Sequence, residues 1–270
     1  MKRVQLFEFE DFGWFPSWFR SCMTRVLAVL HKVLGTQEVV SHLLREVREK
    51  HTFSQVVDMG SGAGGIMPDV MKQLNSELDE PVALMLTDLH PNQDLIQIWK
   101  DNPVEHVSYR EISLDATALG DAPEGLKTMM NSFHHMTPTH AKHILRSAYE
   151  NQQPILIYEM GENMMPLVLW WLQLPIQLLL VGLSCLFLTP LARPLTLRQI
   201  VFTYLIPIIP LVYAWDGAAS MPRTYTFDDV NEMLDAEGLR DSSYQWEIAH
   251  AKRSNGKKLG YYVLGLPQAS

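Results

Sequence analysis

Long basic stretches and paired cysteines are both missing from this chain, and each absence excludes a class of protein. The formal net charge is −8, and Lys and Arg form no cluster, whereas binding to nucleic-acid phosphates needs such clusters. The two cysteines, Cys22 and Cys185, lie far apart and form no CxxC spacing. The sequence therefore predicts no nucleic-acid partner, no disulfide framework and a reducing compartment.

A signal peptide, internal repeats and low-complexity tracts are also missing. The first residues include Glu8, Glu10 and Asp11 and contain no continuous apolar core, so we expect no export signal. We expect these three acidic side chains to be solvated, and a role for one of them at the active site is the alternative. With 270 residues and 47% hydrophobic content, the chain suits one large domain or one domain with an insertion.

A strand, a glycine-rich turn and a helix are predicted over residues 55–74. Apolar residues lead into Asp58, glycines follow, and apolar residues then recur at helical spacing. Glycines let the backbone approach a ligand, and the first amides of the helix point towards it. Gly60, Gly62 and Gly65 also fit a dinucleotide-binding pattern. However, Asp58 would repel a pyrophosphate and would attract a cationic ligand.

The spacing Asp58-x-Gly60-x-Gly62-x-Gly64 resembles motif I of the class I S-adenosylmethionine-dependent methyltransferases. S-adenosylmethionine carries an ammonium and a sulfonium group and no phosphate. Asp88 ends a second apolar run, where a carboxylate can accept both ribose hydroxyls. The resemblance further implies that an acidic residue near position 115 accepts from the adenine amino group. The predicted cofactor-binding residues are Asp58, Gly60, Ser61, Gly62, Gly64, Asp88, Leu89, Asp115, Ala116 and Ser132.

Two histidines stand at the end of the predicted fourth strand, residues 127–136. In a doubly wound sheet, ligands bind beyond the carboxyl ends of the strands, and this stretch resembles the strand-four motif of small-molecule methyltransferases, including those acting on quinones. Neighbours on a strand point to opposite faces, and no nearby Cys or carboxylate completes a ligand set, so we expect no metal. His135 is the first candidate for a general base and His134 the second, and Glu159, at the end of strand five, could line an acceptor pocket. A purely structural histidine pair stays an alternative.

Residues 163–192 and 200–215 carry no charge, and Arg193 and Arg198 lie between them. The first run is long enough to span a membrane. Prolines interrupt both runs, the second run is short, and a two-span hairpin would place both arginines on the far side, against the positive-inside rule. We expect broken helices that lie in one leaflet on the cytoplasmic face of the membrane, with the arginines at the headgroups. A buried lid or dimer contact in a soluble protein is the alternative.

The sequence predicts an α/β fold: a doubly wound, mostly parallel seven-stranded sheet of the Rossmann-like class I methyltransferase type. Strand and helix alternate five times, and a helix with a terminal hairpin at Asn255-Gly256 follows. The expected domains are an N-terminal helical cover (1–50), a cofactor-binding domain (51–162 and 224–270) and an apolar insertion (163–223).

The expected function is methyl transfer from S-adenosylmethionine to a lipophilic small molecule or lipid at the membrane surface. The chain as a whole also resembles a membrane-associated bacterial branch of the superfamily. Two alternatives are a non-catalytic, membrane-anchored protein that binds the cofactor and a soluble small-molecule methyltransferase with an apolar lid. A nicotinamide oxidoreductase is disfavoured because Asp88 lies farther from the glycines than the ~20 residues expected of a ribose carboxylate. The oligomeric state is not predicted.

Overall fold

A seven-stranded sheet forms the centre of the computed structural model, which describes residues 1–62, 64–91, 93–101 and 103–268 except the side chains of residues 94 and 95. The strand order is β3-β2-β1-β4-β5-β7-β6. The first five strands are parallel, and β7 runs antiparallel to both β5 and β6. The strands are β1 Gln55–Met59, β2 Ala83–Thr87, β3 Val107–Tyr109, β4 Leu126–Met130, β5 Ile155–Glu159, β6 Tyr244–Lys252 and β7 Lys258–Pro267. This arrangement confirms the predicted fold class.

Nine α-helices lie in the part of the chain that the structure describes, together with short 3-10 turns and a π-helix. The α-helices are α1 Ser17–Val33, α2 Thr36–Lys50, α3 Met67–Asn75, α4 Gln93–Asp101, α5 Pro138–Glu150, α6 Leu167–Leu188, α7 Leu197–Ile200, α8 Ile208–Arg223 and α9 Phe227–Ala236. The π-helix, Val201–Leu205, continues α7.

The chain divides into two compact units. The first consists of Met1, Gly35–Met160 and Phe227–Ser270, and the second of Lys2–Leu34 and Gly161–Thr226. Residues 1–50, predicted as one cover, are therefore shared: α2 belongs to the unit with the sheet, and α1 to the unit with the apolar insertion.

The core of the first unit lies between the sheet and its helices. Leu44 of α2 and Leu74 of α3 are fully buried in one cluster with Val56 of β1 and Leu84 of β2. These positions follow from the sequence pattern, because α3 is amphipathic and the central parallel strands, covered on both faces, carry nearly continuous apolar residues.

The second unit is a bundle of α1, α6 and α8. Trp170 Nε1 donates to the carbonyl oxygen of Ala218 (3.1 Å), and Gly182 faces Pro210, so α6 and α8 run antiparallel. The structure contains only some of the helix breaks that the prolines predict. The second apolar run bends by 82° between residues 205 and 208, but α6 continues through Pro175, since one proline removes only one hydrogen bond from a long helix.

Glu8 is fully buried, so the prediction that it is solvated is wrong. One of its carboxylate oxygens lies 3.2 Å from Nη1 of Arg223, which is also fully buried, and accepts a hydrogen bond from Ser220 Oγ (3.0 Å). Arg223 Nη1 also donates to Asp11 Oδ2 (2.6 Å). A buried carboxylate is tolerated when a cation and a hydroxyl compensate for lost water, and these bonds tie the N-terminal segment to α8.

Candidate active site

The turn after β1 brings two strand ends together. Gly60 and Gly62 have φ values of +67° and +49°, a region that side chains with a Cβ avoid. A Cβ on Gly60 would lie 3.5 Å from Cβ and Oγ of Ser132. The predicted glycine turn therefore lies directly beside the residue that follows β4.

Asp58 is buried and its carboxylate is held from two sides. Oδ1 accepts from Thr128 Oγ1 of β4 (2.7 Å), and Oδ2 accepts from Ser61 Oγ of the turn (2.6 Å). Burial raises the pKa of Asp58 to about 6, and the two hydroxyl donors partly oppose that rise. Asp58 thus fixes the turn against β4 and places a titratable negative charge beneath the glycines.

Asp88 reaches the same turn from the end of β2. Its Oδ2 accepts from the backbone N–H of Gly62 (2.9 Å), and its Oδ1 accepts from the backbone N–H of His90 (2.8 Å). The hydroxyl of Tyr109 donates to the carbonyl oxygen of Gly62 (3.0 Å). The structure therefore brings Asp88 to the glycine turn, as its position at a neighbouring strand end predicts.

The other predicted cofactor residues beyond β2 and β3 are exposed to different degrees. Leu89 is half exposed. Asp115 is exposed, with Ala116 beside it partly buried, and Asp115 Oδ1 accepts from the backbone N–H and Oγ1 of Thr117 (2.8 and 2.7 Å). The backbone N–H of Leu114 donates to the carbonyl oxygen of Asp88 (3.0 Å), which holds this loop against the end of β2.

The fourth strand ends earlier than predicted. β4 stops at Met130, Asn131 takes a φ of +53°, and residues 133–135 form a 3-10 turn. The side chain of Asn131 accepts from the backbone N–H of Met160 (2.7 Å), a bond that holds the chain out of strand geometry. The rings of His134 and His135 lie 4.2 Å apart between centroids, so the prediction that they point to opposite faces of a strand is wrong.

A carboxylate lies against one of these histidines, contrary to the prediction that none is near. Glu159 Oε2 is 2.7 Å from His134 Nδ1, and Glu159 Oε1 accepts from the backbone N–H of His134 (3.0 Å). Both side chains are buried, at 7% and 2% exposure. A carboxylate only accepts, so Nδ1 carries a proton, and in the neutral imidazole the lone pair lies on Nε2.

Gly260 of β7 keeps Glu159 in place. Its φ is +76°, and a Cβ there would lie 2.2 Å from the carbonyl oxygen of Glu159. Only a glycine allows β7 to approach β5 this closely. The Asn255-Gly256 turn predicted the terminal hairpin that contains β7. It gave no indication that position 260 also requires a glycine.

Sequence comparisons give no relative: no family model matches, and neither does any curated protein. Solved structures do match. Human N-acetylserotonin methyltransferase in complex with S-adenosylmethionine aligns with 99% of this chain and 61% of its own, at 14% identity and a TM-score of 0.53. The plantazolicin methyltransferase BamL, with a triazolic desmethylPZN analogue and S-adenosylhomocysteine, aligns over 93% of this chain and 98% of its own, at 11% identity and a TM-score of 0.52. The fold is that of the class I methyltransferases.

In this class I methyltransferase fold, the ends of β2, β1, β4 and β5 lie side by side at the carboxyl edge of the sheet. They carry, in that order, Asp88, the glycine turn, the histidine pair and Glu159. Sequence reasoning missed the supporting residues Thr128 and Tyr109. A threonine inside a buried strand is a usable signal, because a buried hydroxyl needs a partner.

Proposed function

We propose that this protein transfers a methyl group from S-adenosylmethionine to a lipophilic small molecule or lipid at a membrane surface. The observation that supports the proposal most strongly is the buried His134–Glu159 pair. It lies at the same sheet edge as the glycine turn, and Ser132 contacts the turn two residues before His134.

The cofactor-binding part of the proposal depends on charge and hydrogen-bond chemistry. Asp88 offers a half-buried carboxylate beside the glycine turn, suited to ribose hydroxyls. The buried charge of Asp58 favours a cationic ligand over a pyrophosphate. Asp115, held in a loop that is bonded to the end of β2, is proposed for the adenine amino group by the resemblance to class I methyltransferases.

When bound, S-adenosylmethionine supplies a methyl group on a positively charged sulfur. The chain then has to align the acceptor and remove its proton. When His134 is neutral, its contact with Glu159 selects the tautomer with a lone pair on Nε2. If the acceptor is a hydroxyl, His134 would take its proton at Nε2, while the bound cofactor would supply the methyl group. His135, whose ring packs against His134, remains the other candidate base.

The membrane part of the proposal depends on the surface of the second unit. One helical stretch, Leu167–Leu191, is long and apolar enough to cross a membrane, and the bent pair Leu197–Leu205 and Ile208–Arg223 passes the same test jointly. Few residues of α6 are buried, while Leu172 is 70% and Phe187 76% exposed. Soluble proteins seldom expose an apolar face of this size to water, so we propose that the unit lies in the cytoplasmic leaflet of the membrane. This location agrees with the resemblance to a membrane-associated bacterial branch of the superfamily.

A non-catalytic cofactor-binding protein is the second candidate function, and the His134–Glu159 pair argues against it. Burying a carboxylate beside a histidine costs stability, and cofactor binding alone does not need it. A soluble enzyme whose apolar helices form a lid or a dimer contact is the remaining alternative.

Three measurements on the full-length protein test the proposal. Calorimetry should show binding of S-adenosylmethionine and none of NAD. Flotation with phospholipid vesicles should carry the protein upwards. Mass spectrometry of lipid extracts from cells with and without the gene should show a species heavier by one methyl group. A protein that is monodisperse without detergent and does not float would favour the lid or dimer. A bound cofactor with no methylated product, even from added lipid extract, would favour the non-catalytic alternative.

A further inference from the structure

The acidic residues of the second unit lie at one end of it, where basic residues such as Arg223 accompany them. Its acidic residues lie in the N-terminal segment and near the start of α6 or in α8. Asp216, for example, accepts from the backbone N–H of Phe9 (2.8 Å). The opposite end of α6, a helix about 33 Å long for its 22 residues, has three basic residues: Arg25 of α1, which contacts Pro194, and Arg193 and Arg198 of the loop and helix after α6.

These three guanidinium groups are held by neutral partners. Arg25 donates from Nε to the carbonyl oxygen of Ser21 and from Nη1 to that of Pro194, both at 2.8 Å. Arg193 Nη1 donates to the carbonyl oxygen of Pro190 (2.8 Å). Among the described residues, no carboxylate lies within ion-pair distance of any of the three. The carbonyl groups thus position the side chains without cancelling their charges.

Arg198 lies over the ring of Trp18, 5.5 Å from its centroid, which positions its guanidinium group through a cation–π contact. Arg198 and Arg193 are exposed, and Arg25 is partly exposed. A guanidinium group has five N–H donors, so most donors of the three remain for another ligand. Their planar geometry suits the oxygens of a phosphate.

Exposed apolar side chains alternate with these arginines along the chain. Leu191 is 58% exposed, Leu195 38% and Leu197 76%, and they flank Arg193 and precede Arg198. Apolar side chains at this spacing can enter the acyl region of a bilayer while the guanidinium groups stay at the level of the phosphates. A soluble acidic protein would match the charge but would leave the leucines exposed to a polar surface.

We propose that Arg25, Arg193 and Arg198 form a binding site for the headgroups of anionic phospholipids, with the neighbouring leucines inserted in the bilayer. The inference rests on the proposed membrane function and adds which lipid the surface prefers and which end of the unit contacts it. It also resolves an apparent conflict: a chain with a net charge of −8 binds a negative membrane through a local concentration of positive charge.

The test is flotation of the full-length protein with vesicles of phosphatidylcholine alone and of phosphatidylcholine mixed with phosphatidylglycerol. Each basic residue near an anionic surface strengthens binding by about fivefold, so three arginines should raise partitioning on the order of a hundredfold at low salt. The preference should shrink as salt is added, because the charges are screened. Equal partitioning to both vesicles would overturn the arginine inference and leave the membrane proposal intact. Binding to neither would overturn both.

Substitutions test which residues bind the anionic headgroups. Arg193→Gln with Arg198→Gln should lower the preference for phosphatidylglycerol by about 25-fold and leave binding to phosphatidylcholine unchanged. The same pair changed to lysine keeps the charges and should keep the preference. Lys72→Gln with Lys257→Gln, two exposed residues of the first unit, removes the same charge elsewhere and should change nothing. An equal loss in this control pair would overturn the assignment in favour of net charge alone.

Discussion

Replacing Glu159 by glutamine isolates what its charge does for His134. The amide oxygen can still accept from the backbone N–H of His134, now bonded at 3.0 Å, so the fold should be kept. In the wild type, Nδ1 of His134 lies 2.7 Å from the second carboxylate oxygen. In the variant the amide NH₂ group takes the place of that oxygen and cannot accept a hydrogen bond from Nδ1–H. It can only donate, which moves the ring proton to Nε2. His134 then has no lone pair for the acceptor.

The expected effect is a loss of turnover of about 10²–10⁴-fold, the usual contribution of a general base, with cofactor affinity unchanged. Glu159→Ala should behave differently, because it leaves the backbone N–H and the ring N–H of His134 buried without an acceptor. Each such group costs about 1–3 kcal/mol, so this variant should lose about 2–6 kcal/mol of unfolding free energy as well.

Two assays check this prediction. Long-range proton–nitrogen NMR of the histidine rings should show His134 protonated at Nδ1 in the wild type and at Nε2 in Glu159→Gln, and it requires no substrate. Transfer of a labelled methyl group from S-adenosylmethionine into a total lipid extract measures turnover. Glu80→Gln, an exposed glutamate of the same unit, is the matched control. A Glu159→Gln protein with the wild-type tautomer and full turnover would refute the reasoning, and the base would then be sought at His135.

Three further predictions concern cofactor binding and stability. Asp88→Ala should lower S-adenosylmethionine affinity at least tenfold in calorimetry, because two charge-assisted hydrogen bonds of about 1.5–3 kcal/mol each are lost; an unchanged titration curve would contradict the assignment. Burial raises the pKa of Asp58 from 3.8 to about 6, so the stability of the protein without ligand should fall as pH rises from 3.8 to 6. Affinity for the cationic cofactor should rise by up to tenfold per pH unit over the same range and level off above pH 6. Asp58→Asn should flatten both pH curves, and curves unchanged in that variant would refute the linkage. Arg223→Met should cost about 3–5 kcal/mol in thermal denaturation, because it leaves Glu8 buried without its cation, and adding Glu8→Gln should restore part of the loss; equal stability of Arg223→Met and the wild type would show that Glu8 is compensated by other groups.

Sequence patterns alone determined the sheet, its parallel strands and the position of the glycine turn. They could do so because these features depend on local periodicity and on residues adjacent in sequence, such as Asp58 and Gly60. Asp88 was found because the ends of neighbouring parallel strands meet at one edge of the sheet, which is a rule of the fold and needs no coordinates.

The pairing of Glu159 with His134, and of Glu8 with Arg223, was decided only by the tertiary structure. Each bond joins residues from separate elements, and its existence depends on distances of a few tenths of an ångström. Asn131 at φ +53° turns the chain out of β4; asparagine is enriched in this left-handed region, but that preference does not by itself fix where a strand ends. That single turn places the ring of His134 against Glu159, whereas an uninterrupted strand would have separated the two histidines. Local sequence thus determined which groups lie at the edge, and long-range packing determined which of them interact.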